Sequence, residues 1–82
     1  MTTETAIERF ILDEIMIGSE QSKIEPDQSL LDSGILDSLA LLRLIGFIED
    51  QYNITVEDGE VIPDNFESIE SINNFIEQKR QI

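Results

Sequence analysis

Apolar residues at Ile7, Phe10, Ile11 and Ile15 recur at three- and four-residue spacing, which lays them along one face of a helix. Thr5 with Glu8 three positions on predicts a capping box, and Gly18 is a C-terminal stop, so a first helix is expected over roughly residues 4 to 17. Residues 19 to 36 then lose all periodicity. Pro26, Asp27, Ser29, Asp32, Ser33 and Gly34 break the pattern, while Leu30, Leu31, Ile35 and Leu36 remain as apolar anchors. A connection of this length in so short a chain is either functional or pinned to the core, and its leucines predict pinning.

The helical pattern returns at Asp37 and runs to Tyr52. Asp37 stands where a side-chain cap is wanted. At about 100° per residue, Leu41, Leu44, Ile45, Ile48 and Tyr52 form the predicted core stripe, with Ser38 at its edge. Leu39, Leu42 and Gly46 fall on the arc beyond, so this helix carries two apolar faces where packing needs one. Either the second face docks something, or it packs on the loop leucines.

Asn53 to Ile62 reads as an extended piece and an acidic turn, and Pro63 to Phe66 as a short helical turn with proline at or near its first position. Ser68 is placed to cap a last helix whose apolar face is Ile69, Ile72, Phe75 and Ile76, with Lys79 and Arg80 at the end that favours cations. Three longer helices and a short one predict an all-α fold, a small four-helix bundle with a long first loop. A length of 82 residues leaves room for a single domain over 1–82. Such a domain buries only about 60 to 65% of its unfolded surface, so its stability is modest.

Charge narrows the range of partners. Five basic residues against 18 acidic ones give a formal charge of −13, and nine carboxylates with no base lie between Arg43 and Lys79. That field repels nucleic acid and anionic membrane surfaces and attracts proteins with basic patches, although it also serves plain solubility. The Met-Thr-Thr-Glu-Thr start lacks the layout of a signal peptide, and no apolar run approaches a membrane span; a monomer in the cytoplasm is expected.

The chain contains no cysteine and no histidine, which removes disulfides, thiolate metal sites, thiol nucleophiles and imidazole bases. The Glu57-Asp58-Gly59-Glu60 cluster lacks the ligand register of a calcium loop, and no metal site is expected. Ser38 has neither a Gly-x-Ser-x-Gly elbow nor a base, so it is no hydrolase nucleophile. What remains is a serine at a helix start, after an acid and before a leucine, beside a surplus apolar face. Alone, Asp37-Ser38-Leu39 is an ordinary cap.

In its setting, Leu30-Leu31-Asp32-Ser33-Gly34-Ile35-Leu36-Asp37-Ser38-Leu39 closely resembles the modification loop of phosphopantetheine-dependent carrier proteins, the acyl and peptidyl carriers. The resemblance extends over the preceding helix, the Ile48-Glu49-Asp50 stretch, the Ile62-Pro63-Asp64-Asn65-Phe66 turn and the terminal helix. It implies the acyl-carrier type of bundle and a protein that is not itself an enzyme. It further implies that a phosphopantetheinyl transferase joins 4'-phosphopantetheine from coenzyme A to Ser38, whose arm then holds an acyl or aminoacyl group as a thioester. Asp37 would cap the helix and help the transferase orient its metal and coenzyme A. Leu39, Leu42 and Gly46, with Glu49 and Asp50 at the charged end, are the expected docking face for partners: the transferase, an adenylating or other acyl-loading enzyme, and downstream tailoring or condensing enzymes.

Carriers of fatty acid synthesis continue Asp-Ser-Leu with an acidic residue and place another three positions later, where this chain has Ala40 and Arg43. The Gly34-to-Leu39 stretch and the Pro63-to-Phe66 turn look more like free-standing aminoacyl carriers of natural-product pathways, prolyl carriers among them, and are also similar to D-alanyl carriers of cell-wall modification. An aminoacyl carrier is therefore the expected type, with a polyketide or fatty acyl carrier as the alternative. From a different class, an unmodified acidic helical adaptor would explain the charge and the second face, but not the serine.

Overall fold

The structure, a computed structural model, describes residues 2–18, 20 and 23–80. Helix α1 spans Thr3–Phe10, and its cap is Thr2, whose hydroxyl accepts the Thr5 N–H at 3.1 Å. The predicted Thr5–Glu8 capping box does not form. With the helix starting earlier, Glu8 lies past the first turn, and its carboxylate instead accepts the Ile24 N–H at 2.7 Å across the loop. After Phe10 the helix widens into a π-helical turn over Ile11–Ile15, closed by the Met16 N–H on the Ile11 carbonyl at 2.8 Å. Helical bonding thus ends at Ile15, short of the expected residue 17. Gly18 follows at φ +85°, a conformation that costs a glycine little.

Positions 19, 21 and 22 of the predicted long connection lie outside the described residues, as does Met1. From residue 23 onward the connection is pinned, as its leucines predict. Leu30 and Leu36 are buried, Leu31 and Ile35 pack at the core's margin, and Ile24 is a further buried anchor that the pattern did not single out. Polar ties reinforce them. The Leu30 N–H donates to the Glu67 carbonyl at 2.7 Å, the Ser29 hydroxyl to the Glu67 carboxylate at 2.8 Å, and the Glu70 N–H to the Pro26 carbonyl at 2.9 Å.

Helix α2 covers Ser38–Tyr52 and buries Ala40, Leu44, Ile45 and Ile48; Leu41 and Tyr52 sit at the margin of the predicted stripe. It ends at Asn53, which takes the left-handed conformation at φ 55°, ψ 47° that asparagine tolerates better than most residues. The acidic turn that follows is a 3₁₀ turn over Asp58–Glu60, and it is not merely solvated. The Glu60 carboxylate accepts both the Lys79 ammonium at 2.8 Å and the Glu57 N–H at 2.9 Å, and the Asn65 amide donates to the Glu60 carbonyl at 2.8 Å. This clamps the segment to the last helix.

Helix α3 is the single turn Pro63–Phe66, with proline at its first position as expected, and Phe66 is buried against Phe75 with ring centroids 5.5 Å apart. Ser68 caps α4, Ile69–Arg80, by accepting the Ser71 N–H at 3.1 Å. The predicted face of Ile69, Ile72, Phe75 and Ile76 is buried in full. It meets Ile7 and Ile11 of the first helix and Leu44 and Ile48 of α2 in one core. Among the described residues no helix is long and apolar enough to cross a membrane.

Two outcomes follow from this packing. Ile72→Ala should cost about 2 to 5 kcal/mol, the usual range for truncating a fully buried isoleucine, whereas Leu42→Ala on the exposed face should change stability by no more than about 0.5 kcal/mol; urea denaturation reads both. Lys79 foremost, and the Glu57 N–H next, hold the Glu60 carboxyl below the ordinary glutamate range. Because the folded-state value is the lower one, the resulting stabilisation is present above the ordinary range and is lost as pH falls through the lowered value. The stability gap between the wild type and Glu60→Gln should therefore narrow on acidification; a gap independent of pH would contradict the clamp.

Candidate functional site

The loop delivers the chain to α2 through a defined turn. Gly34 takes φ +81° and donates its N–H to the Leu31 carbonyl at 3.2 Å, and the Leu36 N–H returns to the Leu30 carbonyl at 2.9 Å. Leu36 is buried, so the next residue emerges at the surface. Asp37 is extended at φ −91°, ψ −175°, and its carboxylate accepts the Ala40 N–H at 2.8 Å. This is the predicted cap. Ser38 is consequently the first residue of α2. It is exposed, and its hydroxyl makes no hydrogen bond to another described residue.

The helix start shapes the electrostatics around that hydroxyl. Asp37 satisfies the Ala40 N–H, while the N–H groups of Ser38 and Leu39 have no acceptor within the helix. They form the positive end of a 15-residue dipole. An anion covalently held at Ser38 would meet donors there. The position thus suits a phosphodiester, and the open surface leaves room for a long substituent.

The other predicted residues extend along the same helix. Leu39 is 70% exposed and Leu42 64% exposed, which answers the question of the second apolar face: the loop leucines do not cover it. Gly46 and Asp50 are also exposed. Glu49 differs from the rest. It is half-buried, and one of its carboxylate oxygens accepts the Val56 N–H at 2.9 Å, so it fastens the segment after α2 while standing at the charged end of the face.

One feature beside the site was not legible in the sequence. Ile15, Gly34, Ile35, Asp37, Leu39 and Arg43 line an open cleft of about 300 Å³. Arg43 reaches Glu14 of the π-helical turn at 3.7 Å, both side chains being about half exposed. Two stretches far apart in sequence meet there, the end of the π-helical turn and residues 34–43, and only the i, i+4 spacing of Leu39 and Arg43 hinted at a shared face.

Chemically, Ser38 is a primary alcohol on a rigid helix start with no base to activate it, since the chain has no histidine or cysteine. Among the described residues no group of acidic side chains could hold a metal ion. Such a hydroxyl accepts a substituent only when another protein supplies the base and the donor.

Comparison with known proteins adds the following. A family model described as a phosphopantetheine attachment site matches residues 6–77. Over 61 residues the chain is 34% identical to the acyl carrier protein of Exiguobacterium sibiricum, spanning 74% of this chain and 75% of that one. Among solved structures, a holo acyl carrier protein from Nitrosomonas europaea is similar over 100% of both chains, with a TM-score of 0.81 and 25% identity. The apo form of the carrier KstB-PCP is 33% identical, with a TM-score of 0.73 over 88% of this chain and 79% of that one.

The cap can be tested by itself. Asp37→Ala should destabilise the protein by about 1 kcal/mol, and Asp37→Asn, which keeps an acceptor at the cap, by only a fraction of that. Urea denaturation at neutral pH measures both, and equal losses would contradict the capping geometry.

Proposed function

The chain belongs to the family of phosphopantetheine-bearing carrier proteins, which are acted on by enzymes and are not enzymes themselves, and from that premise we propose that Ser38 is the residue that bears the arm. The observation that carries this reading is the exposed Ser38 hydroxyl, unengaged, at the first position of a helix, where the N–H groups of Ser38 and Leu39 have no acceptor within the helix. Phosphopantetheine, once bound, supplies the terminal thiol that holds a passenger as a thioester, chemistry that a cysteine-free chain cannot perform with its own side chains. In the loading step the Ser38 oxygen bonds to the phosphorus of the phosphopantetheine half of coenzyme A. The pyrophosphate P–O bond breaks, adenosine 3',5'-bisphosphate departs, and the serine proton passes to a base of the transferase.

The chain's own residues position and present. Asp37 fixes the first turn, so that Ser38 occupies one place relative to the helix axis, and its carboxylate helps the transferase orient its metal and coenzyme A. Leu39, Leu42 and Gly46 form the apolar part of the docking face, with Asp50 and the outer side of Glu49 as its charged end. Basic patches on the transferase, on the loading enzyme and on downstream tailoring or condensing enzymes are drawn by the acidic surface, chiefly through faster encounter. We place this activity in the cytoplasm, with the carrier a single-domain monomer.

For the passenger, we favour an amino acid delivered by an adenylating enzyme in a natural-product pathway. Ala40 and Arg43 stand where fatty acyl carriers have acids, and the 33% identity to KstB-PCP supports a carrier of the peptidyl type. The 34% identity to an acyl carrier protein supports a fatty acyl or polyketide passenger as the second reading.

Incubation with coenzyme A and a broad-specificity phosphopantetheinyl transferase should raise the intact mass by one phosphopantetheine, and Ser38→Ala should abolish the gain. A wild-type protein that stays unmodified would leave the acidic adaptor as the better reading.

A further inference from the structure

A second cleft, about 290 Å³ in volume and open to solvent, lies where the first helix and its π-helical turn meet α2, and tethering at Ser38 makes no use of it. Phe10 and Phe47 stack there with ring centroids 4.4 Å apart and planes inclined by 18°. Both are half-buried, so part of the aromatic pair faces the cleft. Arg9, Asp13 and Glu14 border it from the first helix and its π-helical turn, and Gln51 from α2. The space has room for one large side chain.

The polar groups at its edge are poorly engaged. Arg9 and Asp13 stand four positions apart, a spacing at which opposite charges usually meet on an α-helix. The π-helical turn begins between them at Ile11, and no ion pair joins them. Among the described residues the exposed Asp13 carboxylate has no hydrogen-bond or ion-pair partner, and Glu14 has only Arg43, which reaches it at 3.7 Å from the neighbouring cleft. An aromatic floor thus lies beside a carboxylate whose acceptor capacity is unused.

We infer that this cleft is a second docking point, and that its occupant is an arginine side chain of a partner protein. Charge decides the class. The lining sets two carboxylates against one guanidinium within a chain of net charge −13, so a cation is attracted and a second copy of this chain is repelled. Geometry then favours arginine over lysine. A planar guanidinium stacks on an aromatic ring while its in-plane donors reach Asp13 and the Gln51 carbonyl, whereas an ammonium is a compact and strongly hydrated charge. Arg9, having the same sign, directs the incoming group towards the Asp13 end. Leu39, Arg43, Phe47 and Gln51 succeed one another at intervals of four along α2, so a partner seated on Leu39 reaches the cleft by following one strip of the helix. Arginine is also among the residues that carry a disproportionate share of interface energy.

Titration of the unmodified wild-type protein with blocked tripeptides tests the inference, the central residue being arginine, lysine, citrulline or tryptophan between two glycines. The readout is the ring NMR signals of Phe10 and Phe47. The arginine peptide should shift both rings saturably and bind about three- to tenfold more tightly than the citrulline peptide, the size that an exposed cation–π contact with one surface ion pair supports. Asp13→Asn should remove most of that advantage, and Asp64→Asn, which removes an exposed carboxylate on α3, should keep it. Four outcomes overturn the inference: no saturable shift at the rings, lysine or citrulline binding as well as arginine, tryptophan binding more tightly, or equal losses in the two variants. None of them bears on Ser38, which is unmodified throughout.

Discussion

The hydrogen bond from the Leu30 N–H to the Glu67 carbonyl, 2.7 Å long, ties the middle of the long loop to the turn between α3 and α4. Its companion from Ser29 to the Glu67 carboxylate, the Glu70 N–H on the Pro26 carbonyl and the Ile24 N–H on the Glu8 carboxylate complete the polar ties of the segment before α2. Ordering so long a connection costs roughly 1 to 2 kcal/mol of backbone entropy per residue. The buried Ile24, Leu30 and Leu36 offset that cost by removing apolar surface from water, and the polar ties choose the register in which they do so. Asp37 inherits that register. Its cap on Ala40 then sets where Ser38 stands, so the direction in which an arm tethered there would leave the protein depends on a contact at Glu67, far from the serine in sequence.

Charge works at two ranges in this molecule. A net −13 surrounds the bundle with a field that favours basic partners and disfavours phosphate backbones. At short range the few cations are spent at junctions: Lys79 on Glu60 at the 3₁₀ turn, Arg43 on Glu14 beside the α2 start, and Arg80 over the Tyr52 ring at 5.6 Å where α4 ends near the end of α2. Of these, the Lys79–Glu60 contact is the shortest and the least exposed, and it restrains the segment leading into α3. The Arg43–Glu14 contact is longer and more open.

Much of this was legible because it is local. The α4 face of Ile69, Ile72, Phe75 and Ile76, the Ser68 and Asp37 caps and the proline at the start of α3 each follow from spacing within one or two turns. The loop's anchoring followed from its leucines, though not its hydrogen-bond partners. The first helix is capped by Thr2 and not by the expected Thr5–Glu8 box, and Glu8 is instead tied to Ile24, sixteen positions away. The Glu60 clamp, the π-helical turn and the cleft lined by Ile15, Ile35 and Arg43 are products of tertiary contact, to which a periodicity argument has no access. At the site itself, Leu39 and Leu42 were legible as surplus, and their exposure establishes that nothing in the described part of the chain covers them.

The central claim is that one hydroxyl, set by the loop and the Asp37 cap, serves as the tether. Cleavage of the modified protein after lysine and arginine releases the peptide from Ile24 to Arg43, which contains Ser29, Ser33 and Ser38. Fragmentation of that peptide in a mass spectrometer places the phosphopantetheine on a single residue. The account requires it on Ser38; finding it on Ser29 or Ser33 would contradict the account at its root.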